Sequence, residues 1–337
     1  MPRPVAPDAV GCRDLDVTGW NLMWNVVPAD SSRWSQALSA LFSRLPDEDR
    51  ELAVGEAMEA AASGELLLDG LFLAERDATA VGAVLSMIQP DGTALVWPPV
   101  ISPTFEQDST QAVRDDLADG LLAEVCRRID TAGAWIGQSL LDLEATDDRN
   151  TLARNGFEHL ADLVFMERSL SDPLPPESPV EFERLTYADS ANHQQFARVI
   201  EQTYIETRDC PGLNGLRTGA EALSCHRSSG EFDASLWTLY RVDGADVGLL
   251  LFNFHPDRDA WEVVYMGIVP EARGQSYGEA MLIHGLHAAH AAGRAAVFLA
   301  VDSKNKYARG LYDRLGFIET GTQAVHARGG GGRPVVE

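Results

Sequence analysis

Two short stretches of this chain occur twice, in the same order. Ala80-Val-Gly-Ala-Val-Leu85 is echoed by Asp246-Val-Gly-Leu-Leu-Leu251, and Ala153-Arg-Asn-Gly-Phe157 by Asp313-Arg-Leu-Gly-Phe317. A strand pattern and a helix-end pattern repeated in one order point to two similar units stacked in one chain. With 337 residues, 45% of them hydrophobic, there is material for two cores at the ~100–200 residues of an ordinary domain. Between the copies, Ser171-Asp-Pro-Leu-Pro-Pro-Glu-Ser-Pro179 is polar and Pro-rich, which stops both helices and central strands. The expected organisation is therefore a unit at 1–170, a linker at 171–179, a second unit at 180–327 and a Gly-rich flexible tail at 328–337.

The second unit reads as a strand at 180–186, an amphipathic helix at 188–204, a polar segment, and β-rich runs at 236–242, 246–254 and 261–269. Asp243-Gly244 and the turn residues at 255–259 join the runs as antiparallel neighbours. A helix at 278–292, a strand at 295–301, a short helix at 307–315 and a strand at 317–326 follow. The first unit repeats the order less regularly: helices near 34–45 and 51–63, strands at 70–75, 80–89 and 95–101, a helix at 111–131, a strand at 135–143 and a helix at 150–154. The fold class this implies is mixed α/β, α+β-like in character.

Several functions are argued against. No apolar run reaches the roughly 18–20 residues of a membrane span, and the first residues lack a basic-then-apolar leader, so a soluble cytoplasmic protein without a membrane partner is expected. Net charge is −24, and residues 1–179 carry 12 Arg against 31 Asp and Glu. Nucleic-acid binding requires a basic stripe, which is missing. Cys12, Cys126, Cys210 and Cys225 are far apart and read as reduced thiols, with no metal site expected. His284, His287 and His290 step every third residue and so walk around a helix, whereas metal pairs favour four-residue spacing. His255, beside a strand end, is a candidate to face substrate.

The informative stretch runs from Trp261 to Gly278, a strand feeding through a tight turn into a helix. The first turn of a helix has unpaired N–H groups and a partial positive charge, so a Gly-bearing turn before it can take a diphosphate. Neither a Gly-Lys-Ser/Thr ending nor a Gly-x-Gly-x-x-Gly turn is present, which sets aside the two commonest phosphate loops. The order of strand, Val269-Pro-Glu-Ala-Arg-Gly-x-x-x-Gly278, helix, strand, Asn305, then Leu311-Tyr-Asp-Arg-Leu-Gly-Phe317 resembles the GNAT N-acetyltransferase superfamily. Arg273 and Gly278 match its loop. Ser276 stands where the family has glycine, at a cost of about 1 kcal/mol if φ is positive there.

The resemblance implies two tandem GNAT-like domains, each a mostly antiparallel central sheet with strands 4 and 5 splayed and helices flanking it. It implies acetyl-CoA (coenzyme A) as co-substrate, without a metal. The diphosphate would rest on Arg273, Gly274, Gln275, Ser276, Tyr277 and Gly278, and the pantetheine arm would lie between the splayed strands, held by backbone groups of Met266 and Ile268 and by Asn305. The Met266 amide would polarise the thioester carbonyl. An alkylamine with a pKa near ~10 is charged at neutral pH, so a base is needed; Glu262 matches it, and Tyr312 matches the acid for the leaving thiolate. The expected acceptor is the primary amine of a small molecule; an acyl-CoA sensor without turnover and a protein or peptide acetyltransferase remain open, and oligomeric state is unread. The first unit has Trp97-Pro-Pro-Val100 in place of the loop and Leu152 where the second has Tyr312. It reads as a degenerate copy, a layout similar to that of tandem, mycothiol-making members of the superfamily.

Overall fold

A computed structural model describes residues 24–213 and 217–332. The first half holds β1 (Asn25–Pro28), α1 (Trp34–Leu41), α2 (Asp47–Ser63), β2 (Leu71–Arg76), β3 (Thr79–Ile88), β4 (Thr93–Val96), β5 (Val100–Ile101), α3 (Pro103–Gln107), α4 (Gln111–Ala132), β6 (Ile136–Asp142), α5 (Thr146–Arg154) and β7 (Glu158–Ser169). The second holds β8 (Glu183–Thr186), α6 (Asp189–Tyr204), α7 (Gly219–Arg227), β9 (Trp237–Val242), β10 (Ala245–His255), β11 (Ala260–Ile268), α8 (Tyr277–Ala291), β12 (Ala296–Asp302), α9 (Lys306–Arg314) and β13 (Ile318–Gly329). The expected elements of the second half appear within a few residues of their predicted ends. Four elements were not read from sequence: β1, α3, β7, and α7, which opens on a reciprocal cap between Thr218 and Glu221.

All strands join one 13-stranded sheet in the order β1-β2-β3-β4-β6-β13-β7-β12-β11-β10-β9-β8, with β5 against β3. The halves have exchanged their last strands: β7 pairs antiparallel with β12 of the second half, and β13 with β6 of the first. Val164, Met166 and Leu170, which precede the linker, are accordingly buried in the core that contains Phe196, Trp237, Leu249 and Leu286. Arg168, 5% exposed, donates to the carbonyl oxygens of Leu315 and Pro173, so a buried cation ties the exchanged strand to both the end of α9 and the linker. His287 bonds the Pro175 carbonyl and anchors the linker a second time.

The first residues of the expected tail are built into the fold. Arg328 and Gly329 continue β13, Arg328 donates two bonds to the Asp130 carboxylate at 2.8 and 2.9 Å, and Gly331 N–H donates to it as well. These charge-assisted bonds hold the chain where composition alone suggests mobility; residues 333–337 lie outside the described residues. Among the described residues no helix is long and apolar enough to cross a membrane.

Strand exchange makes a testable demand. Met166→Ala, at a side chain 1% exposed, is expected to cost about 2–5 kcal/mol and to lower the urea midpoint reported by second-half tryptophans such as Trp237. An unchanged midpoint would mean that β7 does not serve the second core.

Candidate active site

β11 and β12 run parallel but pair only at Ala260↔Ala296, Trp261↔Val297 and Glu262↔Phe298; beyond Glu262 they part. On its other side β11 stays paired with β10 through Ile268, with one irregularity: Leu251 opposes Tyr265 and Phe252 opposes Val263, leaving Val264 as an extra, bulged residue. Cross-strand partners share a face, so the bulge returns Glu262 and Tyr265 to the same side of the sheet, the side of α6, where Tyr265 bonds the Thr203 hydroxyl.

The ladder fixes where the backbone groups point. Val269 N–H donates to Val247 O at 3.1 Å, and bonded pairs alternate along an antiparallel ladder. Gly267 therefore faces β10, while Met266 and Ile268 turn their amides and carbonyls into the gap beside β12. The Ile268 carbonyl is taken there by Arg273 Nε at 3.2 Å. On the opposite wall, Ser303 N–H bonds Asp162 O and Leu170 N–H bonds Ala295 O. By the same alternation Phe298, Ala300 and Asp302 present backbone groups to the gap.

At the open end of the gap β11 turns into α8. Gly274 has φ +77° and Ser276 φ +59°, so the loop passes twice through left-handed backbone, once at a non-glycine residue. Among the described residues the N–H groups from Gly274 through Glu279 form no hydrogen bond; the first amide of the helix region to be used is that of Ala280, to Ser276 O. Six consecutive free donors at a helix N-terminus form an anion cradle. A Cβ placed on Gly278 would meet only ordinary contacts, Ile268 at 3.7 Å and Leu311 at 3.9 Å, so the protein's own packing does not require glycine there and leaves the approach open.

Arg273 departs from its expected place in the cradle. Its N–H bonds Pro270 O, and its guanidinium donates to the carbonyls of Thr203, Ile205 and Glu206, the unpaired end of α6. It fastens α6 to the loop. Asn305, expected to steady a ligand arm, accepts from Ala308 N–H with Oδ1 as the cap of α9, and its side chain also bonds Asp209.

Glu262 lies at the closed end of the gap, 22% exposed. Its Oε2 accepts from Ser229 Oγ at 2.5 Å and bonds His255 Nε2 at 2.7 Å, leaving Oε1 without a hydrogen bond among the described residues. His255 thus serves the glutamate. The Ser229 turn is held by Asn253, fully buried, whose Nδ2 donates to the carbonyls of His226 and Ser229 while Oδ1 accepts from Trp237 Nε1. Gly230, at φ +60°, permits the close pass, since a Cβ there would stand 2.6 Å from His255 Nε2. Ser229 and Asn253 left no motif to be read in sequence, because a polar turn and a strand asparagine are ordinary residues until the fold brings them to a carboxylate.

Tyr312 on α9 is 6% exposed, and its hydroxyl makes no hydrogen bond among the described residues. Burial first, then the charge of Asp209, pushes the phenol well above its usual range. Two of the three α8 histidines are spent on structure: His284 bonds Tyr240 and Arg184, and His287 the linker. No group of three or more His, Cys, Asp or Glu side chains converges among the described residues. A concavity of about 620 Å³ lined by Phe232, Phe254, Trp261 and Arg294 lies at the opposite end of β11 from the cradle.

Pairing register aligns the two halves residue by residue. Gly82↔Ile101 and Ser86↔Val96 stand where Gly248↔Ile268 and Phe252↔Val263 stand, so Trp97, Pro98 and Pro99 correspond to Val264, Tyr265 and Met266. Leu95, opposite Met87, takes the place of Glu262, opposite Asn253. The residue matching Met266 is thus a proline, which has no N–H. Leu152 stands for Tyr312, and Arg114 fills the corresponding loop by donating to the carbonyls of Glu106 and Ser109.

Residues 201–317 match the family model for the acetyltransferase (GNAT) family. That match lies wholly within the carboxyl half of the chain. Mycothiol acetyltransferase of Thermomonospora curvata is 30% identical over 178 residues, 52% of this chain and 57% of that protein. The protein of the same name from Streptomyces griseus is 35% identical over 86 residues, 26% of this chain and 28% of its own length. The chain thus spans about half, or less, of the length of these curated relatives. A GCN5-related N-acetyltransferase from Sphaerobacter thermophilus superposes with a TM-score of 0.57 at 18% identity, covering 93% of this chain and 96% of that one. That likeness extends the GNAT fold to both halves.

Ser276 gives a test of the loop. Ser276→Gly is expected to stabilise the protein by about 1 kcal/mol by relieving its left-handed backbone, seen as a higher thermal midpoint. A lowered midpoint would mean that the serine side chain contributes a contact worth more than the strain.

Proposed function

We propose that this GNAT protein transfers an acetyl group from acetyl-CoA to the primary amine of a small molecule, by direct attack within a ternary complex. The observation that carries it is the alignment of the free amides Gly274–Glu279 with a gap whose walls present unpaired backbone groups and whose closed end holds the Glu262 carboxylate. The residues present fit coenzyme A: the cradle suits a diphosphate, and the gap beside Met266 and Ile268 suits an extended amide-bearing arm that takes the place of a missing strand. The mycothiol acetyltransferase name of the relatives supports acetyl transfer and a small acceptor.

In this reading Glu262 Oε1 takes a proton from the acceptor's ammonium, directly or through water, while Ser229 and His255 hold the carboxylate by Oε2. The amine nitrogen then attacks the thioester carbon. The Met266 N–H donates to the carbonyl oxygen as negative charge gathers on it. When the C–S bond breaks, Tyr312, kept protonated at neutral pH by its raised titration, hands its proton to the leaving sulfur and takes up the second proton that the attacking nitrogen loses, which leaves a neutral amide and a free thiol. The first half, with Leu95, Pro99 and Leu152 at the three matching places, has no such groups and acts as the partner that exchanges a strand.

Glu262→Gln is expected to lower kcat about 10²-fold or more with acetyl-CoA affinity unchanged, measured as acceptor-dependent thiol release and by calorimetry. Met266→Pro, which copies the first half, removes an N–H that points away from β10; it is expected to spare the fold and lower kcat by about 10²–10³. Acetyl-CoA binding without acceptor-dependent thiol release, unchanged in Glu262→Gln and Tyr312→Phe, would replace the enzyme with an acyl-CoA sensor.

A further inference from the structure

Two buried nitrogens on the α6 side of the sheet carry hydrogen-bonding capacity that the protein does not use. Arg217 Nε and His226 Nε2 are both shielded from solvent and have no partner among the described residues. Protein interiors rarely leave such atoms unmet, so each one calls for a reason. The two belong to a single cluster. Arg217, just before α7, donates from Nη2 to the Tyr204 hydroxyl at 3.4 Å, and its guanidinium also bonds the Cys225 side chain. His226, the residue after Cys225, lays its ring on that of Tyr265 with centroids 5.1 Å apart, and the Tyr204 ring meets Tyr265 edge-on at 6.1 Å. The first half reaches the same cluster through two residues. Trp135 presents its ring to the Arg217 guanidinium at 5.7 Å, and Asp91 bonds the Cys225 side chain while accepting from Ser228 Oγ at 3.2 Å.

Arg217 is thus a cation without a carboxylate. The side chains that act on it are those of Tyr204 and Cys225. Burial pushes the titration of both upward, so both are neutral at neutral pH. The guanidinium itself does not lose its proton, and a charge taken out of water is ordinarily paired. Burial first, then the Arg217 charge, pushes His226 down to about 3, so its imidazole is neutral and able to donate from Nε2. A fixed positive charge and a neutral donor together suit a carboxylate, whose two oxygens accept from both.

The place of this cluster along β11 bears on the reaction. Glu262 and Tyr265 share a face, and with Val264 bulged the three steps between them advance the strand as two would, by roughly 7 Å.

We propose that Arg217 and His226 form an anion subsite beside Tyr265, and that the acceptor is an amine bearing a carboxylate several bonds from its nitrogen. The carboxylate accepts from Arg217 Nε and His226 Nε2 while the amine lies at Glu262. The inference names the acceptor class within the proposed transfer and rests on that reading only for turnover. It also gives the first half a part in substrate choice, through Trp135 on Arg217 and Asp91 on Cys225.

4-(Aminomethyl)benzoate and benzylamine differ only in the carboxylate and serve as probes, with full-length protein saturated with coenzyme A. By calorimetry, wild type should bind the carboxylate probe about tenfold or more tighter than benzylamine. Arg217→Gln, which retains a donor for Tyr204, should lose that preference. His226→Phe, which keeps a ring on Tyr265, should reduce it about threefold and carries the test if Arg217→Gln does not fold. Benzylamine affinity, coenzyme A affinity and the thermal midpoint serve as controls and should stay level. Equal binding of the two probes by wild type overturns the proposal. An equal loss for both probes in the variants also overturns it, because Arg217 would then only brace α6 against α7. Carboxylate-selective binding that depends on Arg217 but is followed by no thiol release retains the subsite and removes the transferase.

Discussion

The parting of β11 from β12 after Glu262 is the constraint from which the rest of the site follows. Up to that residue the two strands satisfy one another; beyond it each is left with backbone donors and acceptors facing a space, of which the Ile268 carbonyl is taken by Arg273 and the Asp302 N–H by Asp209. Unpaired main-chain groups in a folded interior carry a cost of desolvation, and a sheet accepts it where a ligand supplies the missing strand. The free amides at the start of α8 continue the same row of unsatisfied groups around the corner. One bulged residue, Val264, sets which way these groups point and keeps Glu262 and Tyr265 on one face.

The same scaffold occurs in the first half with its chemistry withdrawn. Pairing register places Pro99 on Met266 and Leu95 on Glu262, and the matching helix ends, Phe157 N–H to Leu152 O and Phe317 N–H to Tyr312 O, place Leu152 on Tyr312. A proline in place of Met266 and leucines in place of Glu262 and Tyr312 remove an N–H, a carboxylate and a phenol without disturbing the sheet. The reciprocal exchange of β7 and β13 explains why such a half is kept: each core is completed by a strand from the other. Neither half has a full sheet by itself.

The sequence reading of the site was most dependable where backbone geometry follows from local pattern. A strand, a Gly-bearing turn and a helix must leave free amides, and those amides are present from Gly274 onward. It was least dependable for side chains that have a choice of partner. Arg273 caps α6, Asn305 caps α9 and bonds Asp209, and His255 supports Glu262. Each partner comes from a segment distant in the chain or competing locally, and nothing in spacing ranks such options.

By itself the sequence determined the duplication, the mixed α/β order and the strand-to-helix turn, because periodicity, turn residues and glycine placement act over a few neighbouring residues. Only the tertiary structure decided that β7 and β13 change places, that Arg328 and Gly329 continue β13, and that Asp209 meets the end of β12 at Asp302. These depend on contacts between residues far apart in the chain, and such contacts are selected by the fit of whole surfaces after the local elements have formed.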